Sequence, residues 1–309
     1  MKLKNKIILI TGAHGFIGRH LALFLSNQGA RVYGVGHGSW DKTEWKSWGL
    51  LEWHTCNITL DNLILHGSIP DIIFHCGSGS SVPFSISNPM QDFEKSLNST
   101  VAVLNFMRLK CSSSRLVLLS SAAVYGDTKN GPISENEPLN PLSPYGLHKK
   151  IKEELCVFYS KLYKLNIAIV RFFSVYGPGM RKQLLWETCN SLLKEQKIFS
   201  GTGLETRDWI HIHDVVSLLI LASNYSNTKV PIINGGTGKA TAVKDIVNLL
   251  AKIFKFPQPK FSGIERKGDP LHMQADIANV KSWAWIPKYS WDNGVKEYAE
   301  WFRQINEEN

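Results

Sequence analysis

Three glycines spaced three apart, Gly12, Gly15 and Gly18, follow directly on the apolar run at 6–11 in KIILITGAHGFIG. A β-branched run that ends in glycines and continues into an amphipathic stretch predicts strand, tight turn and helix. Glycine has three separate uses in such a turn. It permits the reversal, lets the backbone approach a pyrophosphate, and lets the helix pack closely on the sheet. The amides and dipole at the helix start then favour phosphate charge. The spacing is GxxGxxG, not the GxGxxG of many dehydrogenases. Its place near the start of the sequence and its flanking strand make it a phosphate cradle.

The rest of the chain repeats the alternation. Runs at 31–36, 71–77, 115–121 and 166–173 predict further buried strands of a parallel sheet. Helices are expected over 16–28, 88–110, 144–164, 182–197, 214–223, 242–254 and 291–306. This order predicts an α/β fold: a Rossmann-type doubly wound parallel sheet with a smaller, mostly C-terminal lobe. A chain of 309 residues has room for both. The expected division is 1–173 for the dinucleotide-binding domain and 174–309 for the lobe, with some later segments returning to the sheet. Proline and glycine mark loops at 126–144, 176–181 and 257–271. The first is long and precedes a helix, as an active-site loop would. The tryptophans clustered at 40–53 read as packing and a surface loop.

Composition narrows the function. An apolar share of 43% with 20% charged residues describes a folded globular chain, not a disordered one. Three basic residues precede an N-terminal apolar run of only four, too short for a signal h-region. No apolar run reaches transmembrane length, so a cytoplasmic protein without a membrane partner is expected. Cys56, Cys76, Cys111, Cys156 and Cys189 form neither a CxxC pair nor a metal spacing, and read as ordinary buried thiols. The net charge is +9, but the basic residues are spread along the chain without an arginine-rich arm. Nucleic acid is therefore not an expected partner; the same field suits a dinucleotide and an anionic substrate.

Tyr145 and Lys149 stand four apart in SPYGLHKK, one turn from each other on one helix face. A free tyrosine titrates near 10 and is a poor acid–base group at neutral pH. An adjacent ammonium stabilises the phenolate and brings it toward working range. SSAAVYG closes a strand about twenty residues earlier and sets Ser121 at its C-terminal end, where open α/β sheets bind ligands.

TGAHGFIG, SSAAVYG, YGLHK, RFFSVYGPG, RDWIHIHDVV and RKGDP occur in that order. Together they resemble the extended short-chain dehydrogenase/reductase family, whose members act on nucleotide-sugars. The resemblance implies Tyr145 as catalytic acid/base, Lys149 on the nicotinamide ribose and Ser121 on the sugar C4 oxygen. Around the dinucleotide it implies Gly12, Gly15, Phe16, Ile17 and Gly18 in the turn. His37 and Ser39 follow the strand at 31–36, and Asn57 and Ile58 lie where a third strand ends in CNI (56–58). Cys76, Gly77 and Ser78 open the glycine- and serine-rich loop 76–85 after the fourth strand, at 71–77. Phe172 joins Tyr145 and Lys149 at the nicotinamide end. A homodimer paired through helices 88–110 and 144–164 is implied as well.

Three outcomes stay open for the reaction. Dehydratases of the family carry an acid pair where this chain has Ala122 and Ala123, and a methyl group transfers no proton. That leaves 4-keto reductases, 4-epimerases, and a non-catalytic dinucleotide- or RNA-binding relative, against which the Ser121/Tyr145/Lys149 set speaks. Relatives that prefer NAD place an acid at the end of the second strand, where this chain has Gly36. Its absence leaves room for a 2′-phosphate, with His37 and Ser39 as donors. The first expectation is thus NADP(H), with NAD the alternative, and NADPH-dependent reduction of a nucleotide-linked 4-keto-6-deoxyhexose. The runner-up is a 4-epimerase of UDP-glucose type with tightly bound NAD.

The nucleotide-diphospho-sugar substrate falls to the second half. The resemblance sets Arg207 in ETRDWIH and Arg266 in ERKGDP on the diphosphate and ribose, with Asp269 accepting from the ribose. Guanidinium forks match phosphate oxygens in bidentate fashion. Ser80, Ser81, Ser174 and Gln183 complete the expected substrate set. His211 and His213 alternate along a short extended stretch without a third ligand, so no metal is expected. Asp214 is expected to cap the helix that follows.

Overall fold

The apolar runs become strands buried on both faces: all four residues of IIFH are buried, as are five of the seven in RLVLLSS. The computed structural model describes residues 3–79, 81–128, 131–196, 198–264 and 270–307. Strand β1 (Ile7–Thr11) leads through α1 (Phe16–Asn27) to β2 (Arg31–Gly36), then through α2 (Lys42–Ser47) to β3 (Glu52–Thr55). Helix α3 (Leu60–His66) returns to β4 (Ile72–His75). Helices α4 (Val82–Ser87) and α5 (Pro89–Phe93), a π-helical segment (Glu94–Asn98) and α6 (Ser99–Lys110) precede β5 (Arg115–Ser121). Helix α7 (Pro144–Tyr163) follows, then β6 (Asn166–Phe172) and β7 (Ser174–Tyr176). Next come α8 (Gln183–Leu193), β8 (Ile198–Phe199), β9 (Thr206–His211), α9 (Ile212–Tyr225) and β10 (Ile232–Gly235). The chain ends with β11 (Ala240–Ala242), α10 (Val243–Ile253), β12 (Lys260–Phe261), α11 (Ala278–Ser282) and α12 (Trp291–Glu307).

Seven strands form one sheet in the order β10-β6-β5-β4-β1-β2-β3, and the pairings from β6 to β3 are parallel. This is the doubly wound sheet that the alternation predicts. The chain divides into two compact units. The first comprises Met1–Gly126, Pro138–Phe172 and Val216–Ile233; the second comprises Asp127–Glu137, Phe173–Val215 and Asn234–Asn309. In the second unit β9 pairs with β7 in parallel and with β11 antiparallel. Its buried Asp208 accepts from the backbone N–H groups of Thr237, Gly238 and Ala275.

Two differences from the sequence expectation matter for the site. The helix expected over 88–110 is interrupted by the π segment Glu94–Asn98. Periodicity does not reveal such a turn, which adds one residue to the backbone ring and is common at functional sites. A short helix, α4, also occupies part of the loop expected after the fourth strand, capped by Ser81, whose Oγ accepts from Phe84 N.

Helix α7 is specified locally and locked by charge. Ser143 caps it through Gly146 N, Pro144 opens its first turn, and Lys164 ends it in the left-handed conformation. A Cβ on Gly146 would lie 2.5 Å from Ala123 O, so only glycine lets α7 press against the turn that follows β5. In the middle of α7, Glu153 takes a bidentate grip from Arg171 of β6, with Nη2 to Oε2 at 2.7 Å and Nε to Oε1 at 3.1 Å. Ser120 Oγ donates to the same carboxylate, and Arg171 Nη1 donates to Tyr125 Oη at 3.0 Å. The group is buried and ties β5, β6 and α7 together. Removing one member strands the other's charge, which typically costs about 3–5 kcal/mol. Glu153→Gln is accordingly expected to lower the unfolding free energy by about that amount in urea titration; a loss under about 1 kcal/mol would mean the pair does not hold α7.

Candidate active site

In a doubly wound sheet ligands bind beyond the carboxyl ends of the strands, where the winding reverses. Here the reversal lies between β1 and β4. Gly12 follows β1 with φ +73°, and a Cβ there would stand 2.8 Å from Gly77 N. Gly18 is equally constrained, its would-be Cβ 2.5 Å from Gly12 O. Gly15 is the N-cap of α1, and Phe16, Ile17 and Gly18 form the first turn. No side chain caps this helix and its first turn holds no acid, so its leading amides are left for an anion. These features fit the pyrophosphate of a dinucleotide.

The end of β2 gives a physical reason for its missing acid. Gly36 is buried with φ +152°, and a Cβ there would lie 3.2 Å from Gly12 N and Cα. A carboxylate-bearing residue would push into the glycine turn, so glycine at 36 answers a close backbone approach. Close approach thus accounts for glycine at 36 without invoking a 2′-phosphate, and His37 and Ser39 are both exposed. Trp40 is buried, its ring 4.9 Å from His14 and 5.4 Å from Trp53, with the Arg19 guanidinium 5.2 Å away. These tryptophans do pack. Asn57 is exposed and its carbonyl accepts from Asn62 Nδ2, while Ile58 is half-buried and packs where a Gly77 side chain would go.

The chemical groups come together on the first unit. Ser121 is the last residue of β5, and its Oγ accepts from Ala123 N at 3.2 Å. Phe172 pairs with it at the end of β6. Tyr145, half-buried, has its backbone N–H held by Ser85 Oγ of α4 at 3.0 Å. One turn on, Lys149 is buried, its Nζ 5.1 Å from the Tyr145 ring centroid and donating to Ser78 Oγ at 3.0 Å. Ser78, Tyr145 and Lys149 thus form one cluster, with Gly77 and Cys76 next to it in sequence.

Sequence reading did not find the buried polar chain behind this cluster. Gly77 N donates to Thr11 Oγ1, which bonds His75 Nδ1 at 2.7 Å. His75 Nε2 meets Thr100 Oγ1 at 3.1 Å, and that hydroxyl donates to Ser96 O. Because Thr100 spends its hydrogen on Ser96 O, it accepts from Nε2, and Nδ1 accepts from Thr11. His75 is therefore the neutral Nε2–H tautomer, and burial, with Lys152 and Lys149 nearby, holds its pKa well below the ordinary value. A histidine inside an apolar strand is the only signal that could have pointed to it.

The remaining expected residues belong to the second unit or lie outside the described residues. Ser174 opens β7 opposite Trp209, Gln183 opens α8 with φ +66°, and Arg207 lies half-buried on β9. Ser80, Arg266 and Asp269 lie outside the described residues. The two histidines do not share an extended stretch: β9 ends at the buried His211, and the exposed His213 lies on α9. Asp214 sits inside the first turn of α9 and accepts from Lys288 N and Tyr289 N, so it fastens a distant loop to that turn.

Comparison with known proteins gives the family and the fold. Residues 8–236 match the model of the NAD dependent epimerase/dehydratase family. A UDP-glucuronate 4-epimerase of Thermodesulfobacterium geofontis is 29% identical over 315 residues, covering 96% of each chain. The crystal structure of UDP-glucose 4-epimerase from Thermotoga maritima, with UDP-glucose, superposes with a TM-score of 0.87 at 27% identity. It covers 97% of this chain and 99% of that one. UDP-glucuronic acid 4-epimerase from Bacillus cereus, in complex with UDP-glucuronic acid and NAD, gives 0.86 at 27%, with coverage of 97% and 99%.

One buried group stands outside this chemistry. Lys152, one turn beyond Lys149, is fully buried and its Nζ has no hydrogen-bond partner among the described residues. Burial first, then the charge of Lys149, pushes its pKa well below the ordinary lysine value. The folded state therefore binds one proton fewer than the unfolded state over a window that ends near pH 10.5, and stability rises with pH across it. Lys152→Met is expected to be more stable than wild type at pH 7 by about 1–3 kcal/mol, the usual cost of a buried unpartnered polar group. It should also lose the part of the rise between pH 7 and pH 10 that this amine causes; urea titrations at both pH values would refute this if the two slopes coincide.

Proposed function

The chain belongs to the NAD dependent epimerase/dehydratase family, and on that premise we propose that it interconverts C4 epimers of a UDP-linked hexose with NAD held in the site. The observation that carries this reading is the cluster on α7. The Lys149 ammonium is fixed beside the Tyr145 ring, on a helix whose first turn presses on the turn begun by Ser121. The expected reductase is the weaker choice. Its support was the missing acid at position 36, which close approach to Gly12 explains without any 2′-phosphate.

In this reading Gly12, Gly15, Phe16, Ile17 and Gly18 hold the pyrophosphate, and Lys149 holds the nicotinamide ribose. When bound, NAD supplies a hydride acceptor for C4 of the sugar. Tyr145 Oη takes the C4 hydroxyl proton and later returns it, while Ser121 Oγ donates to the C4 oxygen in both directions. The Lys149 ammonium stabilises the phenolate form of Tyr145 while the proton is on loan. Ala122 and Ala123 offer no acid for a following elimination. A hydride given back to the opposite face of the same carbon would invert C4, so no reductant would be consumed. The nucleoside diphosphate falls to Arg207, Arg266 and Asp269, with Ser80, Ser81, Ser174 and Gln183 near the sugar. Exposed Val157, Phe158 and Leu162 on α7 support a homodimer joined through that helix.

The test is to denature the purified protein, identify the released nucleotide, and assay UDP-glucose and UDP-glucuronate for the C4 epimer. The expected result is stoichiometric NAD, turnover without added cofactor, and a loss of about 10²–10⁴ in kcat for Tyr145→Phe. An empty site, together with NADPH consumption on a nucleotide-linked 4-keto-6-deoxyhexose, would instead establish the reductase.

A further inference from the structure

The hydroxyl groups around Lys149 have a fixed polarity. Ser96, buried in the π-helical segment, accepts from Gly79 N at 3.0 Å and lies 3.0 Å from Ser78 Oγ. Ser78 Oγ also accepts from Lys149 Nζ at 3.0 Å. A serine hydroxyl has one hydrogen to give and two lone pairs to accept with. A buried hydroxyl hydrogen needs an acceptor, and the neighbour that Ser96 has for its own is Ser78. Ser78 then accepts twice, from Ser96 and from the ammonium, and both of its lone pairs are committed. Its own hydrogen has no acceptor among the described residues, and Ser78 is half-buried, with a face open to a ligand.

We propose that Ser78 is a positioning residue of the site: it clamps the Lys149 ammonium from behind and offers its own hydroxyl hydrogen to a ligand oxygen held beside that ammonium. Both effects depend on the π segment. A regular α-helix through 94–98 would advance Ser96 along a different path, whereas the wider turn presents its Oγ to Gly79 N and Ser78 together. The carbonyl of the same residue closes the His75–Thr100 chain, so Ser96 is held at both backbone and side chain. Lys149 has three donors. Ser78 takes one, and the others remain for the Tyr145 side and for a ribose hydroxyl. The ligand atom is an oxygen acceptor of the hydroxyl class. Commitment of both Ser78 lone pairs excludes a donor-only group there.

This inference rests on the proposed role of Lys149 toward the nicotinamide ribose, and its test separates the two. NAD dissociation constants are measured by titration for wild type, Ser78→Ala, Lys149→Met and the double variant. Steady-state kinetics on UDP-glucose and UDP-glucuronate are measured alongside. Ser78→Ala is expected to weaken NAD about fivefold and to lower kcat about tenfold with KM for the nucleotide-sugar unchanged. Because Ser78 acts partly through Lys149, the double variant should lose less than the product of the single losses, by up to about fivefold. Ser78→Thr, which keeps the hydroxyl, should return both constants to within about threefold of wild type. Losses that multiply, an unchanged Ser78→Ala, or a Ser78→Thr as impaired as Ser78→Ala would each overturn the proposal. Should wild type convert neither sugar, the epimerase reading falls, while the NAD constants still decide the role of Ser78.

Discussion

Backbone meets backbone where β1 and β4 end, and the catalytic face is built on that contact. Gly12 leaves no room for a Cβ against Gly77, Gly18 leaves none against Gly12, and Gly36 approaches the same turn from β2. Side chains would hold these segments apart by the width of a methyl group or more, and close packing transmits such a displacement. The approach brings the start of α1 and the segment 76–78 to the same edge of the sheet. It also bears on the end of β2, since a side chain at position 36 would crowd Gly12 in a backbone conformation that favours glycine.

The groups proposed to do the chemistry are held by polar contacts buried behind them, in two layers. Nearest the substrate face, Ser78 and Ser85 hold Lys149 and the backbone of Tyr145. Behind them, Thr11, His75, Thr100 and Ser96 form a chain in which every hydrogen has a single direction. On the far side of α7, Glu153 and Arg171 hold the helix against β5 and β6. Satisfied buried networks specify one arrangement because every alternative strands a donor or acceptor. Lys152 Nζ and Asp92 Oδ1 are exceptions in this region, buried without a partner among the described residues. Burial and the neighbouring Lys149 charge push the Lys152 pKa well below its ordinary value.

Cofactor and reaction illustrate how one residue can be read in two ways. From sequence, Gly36 is an absence: no carboxylate, hence space for a phosphate. In three dimensions it is a requirement imposed by Gly12. The same distinction applies to Asp214, whose position before an apolar run suggests a cap but whose carboxylate binds the backbone of residues 288 and 289. Neighbours in sequence suggest local roles; the partners here are tens of residues away.

Much of the fold was legible before any coordinates. Apolar runs bounded by turns mark buried strands because a strand covered on both faces must be apolar throughout, and five of the seven sheet strands are visible that way. Glycine spacing marks the first turn, and Tyr145 and Lys149 share a helix face by periodicity alone. The π segment and the polar chain through His75 were hidden, because each is stabilised by groups far away in sequence. Ser96 has no reason to sit on a widened turn until Gly79 N and Ser78 Oγ lie beside it. The sequence by itself determined the strand–turn–helix alternation and set Tyr145 and Lys149 as a pair on one helix face, since both follow from local period and residue type. Tertiary structure alone decided which hydroxyls hold that pair and why position 36 is glycine, since both depend on distances between segments that the sheet brings together.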